Sequence, residues 1–210
     1  MVTPLNIHAV LFDADGVLQK PLAHRRDAWR NVLGPERDFD TFMAAVFEAE
    51  VPALEGRSDF GKALASLLGE WQCCGTVDDA LRAWTMIEVD TEIIGIVRAL
   101  RRLGIDCHLA TNQEPHRAAY MSEKLGYSDV FNREFYSCRL GVKKPDVAYF
   151  DKILNAIDLP AVNVLFLDDN EGNIVSAREA GLHAIRFHGD AGAAALTRTL
   201  LEFRIGLTLR

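Results

Sequence analysis

The chain has 210 residues, of which 49% are hydrophobic and 25% are charged, and its formal net charge is -7 at pH 7. This balance fits one globular domain of moderate size, or a core that carries an inserted subdomain. The negative charge argues against a general nucleic-acid surface or an anionic-membrane surface, and no apolar run approaches the ~20 residues that a membrane span needs. An anionic substrate must therefore be held by local cations or by a metal ion.

The cysteines and the start of the chain bear on the compartment. Residues 1–4 do not begin a basic stretch followed by an apolar one, so no secretory signal is predicted. No C-x-x-C spacing occurs, and we expect free thiols and a cytoplasmic protein. The cysteines are Cys73, Cys74, Cys107 and Cys138.

The first apolar run of the chain ends at two carboxylates and a glycine. Residues 7–12 have the length and the β-branched and aromatic content of a buried strand, and Asp13, Asp15 and Gly16 follow them. Because residues i and i+2 of an extended chain point the same way, Asp13 and Asp15 can converge on one point. Converging carboxylates repel unless a cation or a proton lies between them. This strand end is therefore predicted to belong to an active site.

The region from Lys20 to about Asp90 is predicted to contain helices only. Its apolar residues recur at helical spacing, and glycines and prolines separate the segments. A second D-x-D, at Asp38 and Asp40, has no apolar strand before it and predicts the solvated start of a helix. The predicted helices are 24–33, 40–49, 58–71 and 77–89.

From residue 91 onward, helix and strand patterns alternate. This alternation favours an α/β fold with a doubly wound, mostly parallel sheet covered by helices on both faces. Residues 1–17 and 91–210 would form this core, and residues 18–90 would form an inserted helical cap. The later strands are predicted at 105–110, 131–137, 162–167 and 182–187. Three of the later helices are predicted at 93–103, 114–125 and 191–203. Another is opened by residues 143–146, with Pro145 in its first turn, and runs through residue 157, and one more follows the strand 162–167 and stops at Gly181.

Polar side chains follow these strands at one edge of the predicted sheet. Right-handed crossovers bring the carboxyl ends of parallel strands together, and ligands bind outside those ends. Chance would scatter such residues along the chain, so their collection at one edge predicts a site. The residues are Asp13, Asp15, Thr111, Asn112, Asp168 and Asp169, with Lys144 in the loop after a short strand.

Four ordered motifs at this edge resemble those of the haloacid dehalogenase-like (HAD) hydrolases. The stretch 135–181 is most similar to the branch that holds sugar-phosphate phosphatases and the phosphatase domain of soluble epoxide hydrolase. The resemblance covers essentially the whole chain and implies a Rossmann-like core with a helical cap. The motifs are Phe12-Asp13-Ala14-Asp15-Gly16-Val17-Leu18, Ala110-Thr111-Asn112, Lys144-Pro145-Asp146 and Phe166-Leu167-Asp168-Asp169-Asn170.

The resemblance implies a phosphomonoester hydrolase that acts through an aspartyl-phosphate. Asp13 is the implied nucleophile, and Asp15 is the implied acid–base that protonates the leaving group and then activates water. Thr111 and Asn112 are implied to hydrogen-bond the phosphoryl oxygens, and Lys144 to oppose their charge.

The same resemblance implies Mg²⁺ as the cofactor. Its ligands would be Asp13, the backbone carbonyl of Asp15, and Asp168 or Asp169, and the sequence leaves open which of the last two binds directly. Three carboxylates and a phosphate dianion would place about five negative charges against one lysine, which also calls for a divalent cation.

Arg57 is the predicted substrate-binding residue of the cap. Gly56 and Arg57 interrupt the helical pattern and predict a loop that dips toward the core. A planar guanidinium suits sugar hydroxyls or a second anionic group. The expected partner is a small phosphorylated metabolite, with a sugar phosphate favoured, and neither a nucleic acid nor a membrane. The protein is expected to be a monomer or a homodimer.

Two alternatives within the family stay open, a sugar-phosphate mutase and a catalytically idle relative that binds a phosphorylated ligand. Dehalogenases of the family carry an aromatic residue at the position of Asp15, so dehalogenation is disfavoured. Phosphonatases of the family form an imine on a cap lysine, whereas the comparable stretch of this chain has Arg57, which cannot form one, so that reaction is disfavoured as well. The strand-associated histidines lack mutual metal spacing and are predicted to be structural. They are His8, His108, His183 and His188.

Overall fold

The computed structural model describes residues 6–205, and a five-stranded parallel sheet forms its centre. The strands of the described residues are β1 (Ala9–Phe12), β2 (Gln19–Pro21), β3 (Ile87–Val89), β4 (Asp106–Thr111), β5 (Arg133–Tyr136), β6 (Val164–Asp168) and β7 (His183–Arg186). The central sheet has the order β5-β4-β1-β6-β7, and each neighbouring pair is parallel. Residues 1–5 and 206–210, which the predicted core includes, lie outside the described residues.

Helices cover both faces of this sheet, which confirms the predicted doubly wound α/β architecture. With the helices numbered in chain order as given below, α5, α6, α7 and α11 pack on one face of the sheet. Helices α9 and α10 pack on the other face. The helices are α1 (Arg25–Leu33), α2 (Phe39–Glu50), α3 (Phe60–Glu70), α4 (Val77–Trp84), α5 (Thr91–Arg102), α6 (Pro115–Glu123), α7 (Tyr127–Val130), α8 (Ser137–Leu140), α9 (Val147–Ile157), α10 (Glu171–Glu179) and α11 (Gly192–Glu202).

Strand β1 lies in the middle of the sheet and explains the unbroken apolar run at the start of the chain. Val10 and Phe12 pack into the apolar cluster on one face, while Ala9 and Leu11 pack into the cluster on the other face. None of the four side chains has measurable exposure. Because each of the larger ones contributes about 1.5–3 kcal/mol when buried, this strand anchors the residues that follow it.

Helices α1 to α4 pack around a third apolar cluster of their own. Trp29 and Trp84 meet edge to face at its centre, with ring centroids 6.0 Å apart. Asp38 caps α2 and accepts hydrogen bonds from the backbone N–H groups of Asp40 and Thr41, so the predicted helix start at the second D-x-D is confirmed. We propose residues 18–90 as the cap, because this separate cluster lies between the two short strands described next.

The prediction that residues 20–90 contain helices only was wrong. Strands β2 and β3 form a two-stranded antiparallel sheet in which Gln19 pairs with Val89 and Pro21 with Ile87. Helix α4 ends at Trp84 rather than at Val89, since the Thr85 hydroxyl donates to the Leu81 carbonyl at the end of the helix. The pairing joins residues far apart in the sequence, so local periodicity carried no signal for it.

The expected position of Pro145 in a first helical turn was also wrong. Helix α9 begins at Val147, and Asp146 is its N-cap, accepting a hydrogen bond from the backbone N–H of Ala148. Pro145 therefore precedes the cap and follows a cis peptide bond. Lys144 lies in the loop before the helix and not on it.

The remaining composition-based expectations concern thiols and membrane spans. All four cysteines are free, as predicted, and burial raises the pKa of the Cys107 thiol to about 12. Within residues 6–205, none of the helices has the length and apolar character that crossing a bilayer requires.

Candidate active site

The carboxyl ends of β1, β4 and β6 bring the predicted site residues to one edge of the sheet. Asp13 directly follows β1, Thr111 ends β4 and Asp168 ends β6. The three side chains are buried, although each is polar. The Gln113 amide donates to the Thr111 hydroxyl at 3.3 Å. Parallel strands with buried apolar bodies thus place polar groups together at their carboxyl ends.

Lys144 lies between two of these carboxylates. Its ammonium donates to Asp13 Oδ1 at 2.8 Å and to Asp168 Oδ2 at 2.6 Å, and only 2% of the residue is exposed. Burial raises the pKa of Asp13 to about 7, with Lys144 acting against the rise and Asp168 adding to it. Burial works to lower the pKa of Lys144, but the two carboxylates outweigh it and hold this pKa above its usual range. The cluster is a buried cation shared by two acids.

The side chain of Asn112 holds the backbone of Lys144. Its Nδ2 donates to the Lys144 carbonyl at 2.9 Å, and its Oδ1 accepts from the Lys144 N–H at 2.9 Å. This clamp ties the loop before α9 to the end of β4 and fixes the point from which the lysine side chain extends. Because the side-chain amide is occupied in this way, Asn112 would contact a phosphoryl group through its backbone N–H.

The residues at this edge fit a hard divalent cation. Asp13, Asp168 and Asp169 each offer an oxygen, and these oxygens lie within 4.8 Å of one another. Asp168 is fixed by the backbone N–H of Asn170 at 2.8 Å and by the side-chain amide of Asn173 at 2.9 Å. Three carboxylates against one lysine is a donor set that favours Mg²⁺ or a similar ion.

The approach of Asp169 to the chain after β1 also supports this fit. Asp169 is half-buried, and its pKa is raised by burial and then by Asp168. A Cβ at Gly16 would overlap the Asp169 carboxylate, and Gly16 has a φ of 80°. Only glycine combines this left-handed conformation with room for the third acid.

Asp15 has a different set of partners from Asp13. Arg117 pairs with both of its oxygens, at 3.0 Å from Nη1 to Oδ2 and 2.8 Å from Nη2 to Oδ1. The side-chain amides of Gln19 and Gln113 donate to it at 3.0 and 2.8 Å. Burial works to raise the pKa of Asp15, but Arg117 and the two amides outweigh it and hold this pKa below its usual range. Asp13 and Asp15 were predicted to converge on one point, but each pairs with its own cation, Asp13 with Lys144 and Asp15 with Arg117.

Arg117, Gln113 and Gln19 were missed by the sequence reasoning. The Gln19 Oε1 accepts from the Tyr127 hydroxyl at 2.9 Å, so this amide is itself held in place. Gln113 directly follows a recognised motif, and that proximity was the one available signal. Arg117 lies inside an ordinary amphipathic helix pattern and Gln19 in the first residues of the cap, where no motif marks them.

Arg57 is not brought into contact with the acid cluster in the described structure. Its guanidinium pairs with Glu55, and 66% of its side chain is exposed. The residue lines a groove of about 540 Å³ together with Glu114 and His116. The loop itself does reach the core, because a Cβ at Gly56 would meet the Cys138 carbonyl at 2.6 Å.

Comparisons with known proteins identify related chains. A family model described as haloacid dehalogenase-like hydrolase matches residues 7–181. Drimenol cyclase drtB of Aspergillus calidoustus is 40% identical over 67 residues, which are 30% of this chain and 13% of that protein. Sesquiterpene phosphatase astK of Aspergillus oryzae is 28% identical over 94 residues, which are 44% of this chain and 47% of that protein. The match thus spans less than half the length of either relative.

Solved structures share the fold over most of their length. The HAD family enzyme bt-2542 from Bacteroides thetaiotaomicron superposes with a TM-score of 0.78 at 16% identity, covering 91% of this chain and 98% of that one. The same enzyme has been solved in complex with magnesium and inorganic phosphate. The L-2-haloacid dehalogenase of Xanthobacter autotrophicus superposes with a TM-score of 0.64 at 21% identity, covering 95% of this chain and 84% of that one. At 16% and 21% sequence identity, the structural similarity supports the assignment of the fold and nothing beyond it.

Proposed function

The chain belongs to the haloacid dehalogenase-like hydrolases, and from this premise we propose that it is a Mg²⁺-dependent phosphomonoester hydrolase. The observation that carries the proposal is the buried cluster in which Lys144 contacts Asp13 and Asp168 beside Asp169. This cluster combines a carboxylate nucleophile, a fixed cation and ligands for a second cation. Phosphoryl transfer needs a nucleophile and positive charge around the phosphate dianion, and this cluster can supply both.

The reaction proceeds in two steps on Asp13 and Asp15. A carboxylate oxygen of Asp13 attacks phosphorus and forms an aspartyl-phosphate, while the bond from phosphorus to the leaving oxygen breaks and Asp15 gives that oxygen a proton. Asp15 then takes a proton from water, whose oxygen attacks phosphorus and releases inorganic phosphate and the free Asp13 carboxylate. Thr111 and the backbone N–H of Asn112 hydrogen-bond the phosphoryl oxygens, and Lys144 offsets their charge.

A magnesium ion held by Asp13, Asp168 or Asp169 and the Asp15 carbonyl would neutralise the remaining phosphate charge. The magnesium and phosphate complex of the Bacteroides relative supports this choice of metal. The role of this chain's own residues is to hold three carboxylates close enough together that a divalent cation relieves their repulsion.

Turnover of p-nitrophenyl phosphate, with and without Mg²⁺, tests the proposal. We expect hydrolysis that depends on the metal. When the reaction with a ³²P-labelled substrate is quenched with acid, we also expect an acid-stable label on Asp13. No turnover of any phosphomonoester would favour the idle relative. Phosphoryl transfer to a second sugar hydroxyl that outpaces release of inorganic phosphate would favour the mutase.

A second substrate class competes with the sugar phosphates, namely phosphates with an apolar prenyl chain. Phe47 is 51% exposed on the cap, and its ring lies 5.6 Å from that of buried Trp84, centroid to centroid. Trp84 in turn lies beside the Arg117 guanidinium, at 5.6 Å from its carbon to the ring centroid. An exposed aromatic side chain that packs on the tryptophan beside Arg117 suits an apolar leaving group. One of the matched relatives is named a sesquiterpene phosphatase, which supports this class.

Replacing Phe47 separates the two substrate classes. If a prenyl chain covers this ring, Phe47→Ala should lower kcat/KM for farnesyl phosphate about 10-fold, since ~60 Å² of lost apolar contact corresponds to about 1.5 kcal/mol. Activity on a sugar phosphate should be unchanged. Leu201→Ala is the matched control, because Leu201 is 52% exposed on α11 of the core. Equal loss on both substrates would argue against an apolar leaving group at this surface.

A further inference from the structure

Arg117 is a buried core residue whose side chain is directed at the proposed acid–base. Only 6% of the residue is exposed, and its two terminal nitrogens pair with the two oxygens of Asp15. The start of its helix is fixed as well, since Glu114 accepts hydrogen bonds from the backbone N–H groups of His116 and Arg117. A two-point contact from a planar group fixes both the position and the plane of a carboxylate, which a single ammonium cannot do.

The same guanidinium also lies against the cap. Its carbon is 5.6 Å from the ring centroid of Trp84 at the end of α4, and the Arg25 guanidinium is 5.0 Å from the same centroid. Trp84 is buried within the aromatic cluster of the cap. Arg117 therefore touches both the Asp15 carboxylate, which follows β1 of the core, and the aromatic cluster of the cap.

The arrangement around Arg117 is not one that stability alone selects. Among the described residues, Arg117 Nε, Gln113 Oε1 and Trp84 Nε1 are buried without a hydrogen-bond partner. Unpaired buried polar atoms cost free energy, and an apolar side chain at these positions would avoid that cost. Such groups persist where a defined geometry is needed, and here Arg117 and Gln113 both bond to the carboxylate that would transfer protons.

We propose that Arg117 is a positioning residue that holds the Asp15 carboxylate in line with the leaving oxygen, and that its contact with Trp84 ties this alignment to the position of the cap. The inference rests on the proposed phosphatase function. Arg117 does not touch the phosphoryl group, and it acts through Asp15. Its loss should therefore affect the step in which Asp15 protonates the leaving group more than any other step.

Leaving-group dependence distinguishes this role from a purely structural one. An alkoxide leaving group needs a proton in the transition state, whereas p-nitrophenolate leaves without one. In Arg117→Met we expect first-turnover release of the alcohol from a primary alkyl phosphate to fall about 100-fold, because misplacement of a catalytic group by about 1 Å costs that much. First-turnover release of p-nitrophenol should fall by no more than about 3-fold. Arg117→Lys should recover part of the alkyl rate.

Three comparisons keep the test sharp. Arg101→Met removes another arginine, one that bonds to the backbone carbonyls of Asp129 and Val130, and it should leave the alkyl-to-aryl ratio unchanged. Asp15→Asn combined with Arg117→Met should be no slower than Asp15→Asn alone. Trp84→Phe should lower the alkyl rate selectively, whereas Trp29→Phe, at an equally buried tryptophan of the same cluster, should not.

Several outcomes would overturn the inference. Equal losses on alkyl and aryl phosphates, no loss on either, or a further loss in the double variant would each show that Arg117 does not act through Asp15. An unchanged ratio in Trp84→Phe would remove the link to the cap. Circular dichroism identifies any unfolded variant, and Arg117→Lys and the double variant then carry the test. If the wild-type chain hydrolyses no phosphomonoester, the proposed function fails instead, which is a distinct result.

Discussion

Replacement of Lys144 by methionine is a perturbation for which the structure predicts a large effect on stability. The substitution keeps most of the unbranched side chain but removes the one positive charge between Asp13 and Asp168. Two carboxylates then remain buried next to each other. They must either repel each other, take up a proton or bind a cation from solution.

The size of the effect follows from the contacts that are lost. Removing one member of a buried ion pair costs about 3–5 kcal/mol of unfolding free energy, and Lys144 forms ion pairs with both Asp13 and Asp168. Asp13 already has a pKa raised to about 7, so it can take up a proton, and this keeps the loss within that range. Against a typical unfolding free energy of about 5–15 kcal/mol, the metal-free variant should be severely destabilised.

The pH dependence of this deficit has a definite sign. Without Lys144, the folded pKa of Asp13 rises further above its unfolded value of 3.8. A carboxyl with a raised folded pKa contributes stability at low pH that is lost as the pH rises through the folded pKa. The difference in unfolding free energy between variant and wild type should therefore be larger at pH 8 than at pH 5.5.

Urea unfolding followed by circular dichroism, with EDTA and with Mg²⁺, measures these effects. Lys143→Met is the control, because Lys143 lies in the same loop and is only partly buried, and it should change stability by no more than about 0.5 kcal/mol. Mg²⁺ at 100 times its dissociation constant for the variant should raise the unfolding free energy of Lys144→Met by about 2.7 kcal/mol relative to its value in EDTA. A Lys144→Met deficit below 1 kcal/mol in EDTA at pH 8 would refute the idea that this charge holds the two acids together.

Three further predictions concern the nucleophile, the metal and a buried histidine. Asp13→Asn should abolish phosphatase turnover while the circular dichroism spectrum is retained, and substantial residual activity would refute its role as nucleophile. Thorough chelation should remove activity and lower the Tm, and readdition of Mg²⁺ should restore both; full activity in EDTA would contradict the metal site. Burial lowers the pKa of His108 from 6.5 to about 4, so unfolding takes up a proton between these values, and stability falls as the pH drops through that window. Between pH 7.5 and pH 5 the wild type should lose about 2 kcal/mol more than His108→Leu in urea unfolding, and equal losses would exclude His108 as the cause.

The parallel sheet could be predicted from the sequence because each strand carries a local signal. β1 and β6 are buried on both faces and appear as apolar runs, and the buried part of β4 is interrupted only by His108. In each case the polar site residues begin where the apolar run ends. β2 and β3 have three residues each, and their pairing joins Gln19 to Val89. At that length neither alternation nor composition separates a strand from the end of an amphipathic helix, so only the tertiary contact defines them.

The same limit applies to the partners of Asp15. A single arginine on an amphipathic helix predicts a solvated side chain, and Arg117 matches that pattern until the fold brings α6 beside the residues that follow β1. The sequence indicated two carboxylates and the need for positive charge between them. It did not indicate that two separate cations meet that need, Lys144 for Asp13 and Arg117 for Asp15.

This division of partners explains why the proposed nucleophile would depend on a metal. Without an ion, burial and the neighbouring Asp168 raise the pKa of Asp13 to about 7 although Lys144 is in contact with it, so a large share of the protein would hold a neutral carboxyl at neutral pH. A neutral carboxyl does not attack phosphorus. Asp15 shows the opposite shift, since Arg117 holds its pKa below the usual range. A divalent cation beside Asp13, Asp168 and Asp169 would lower the pKa of Asp13 and hold this nucleophile ionised at neutral pH.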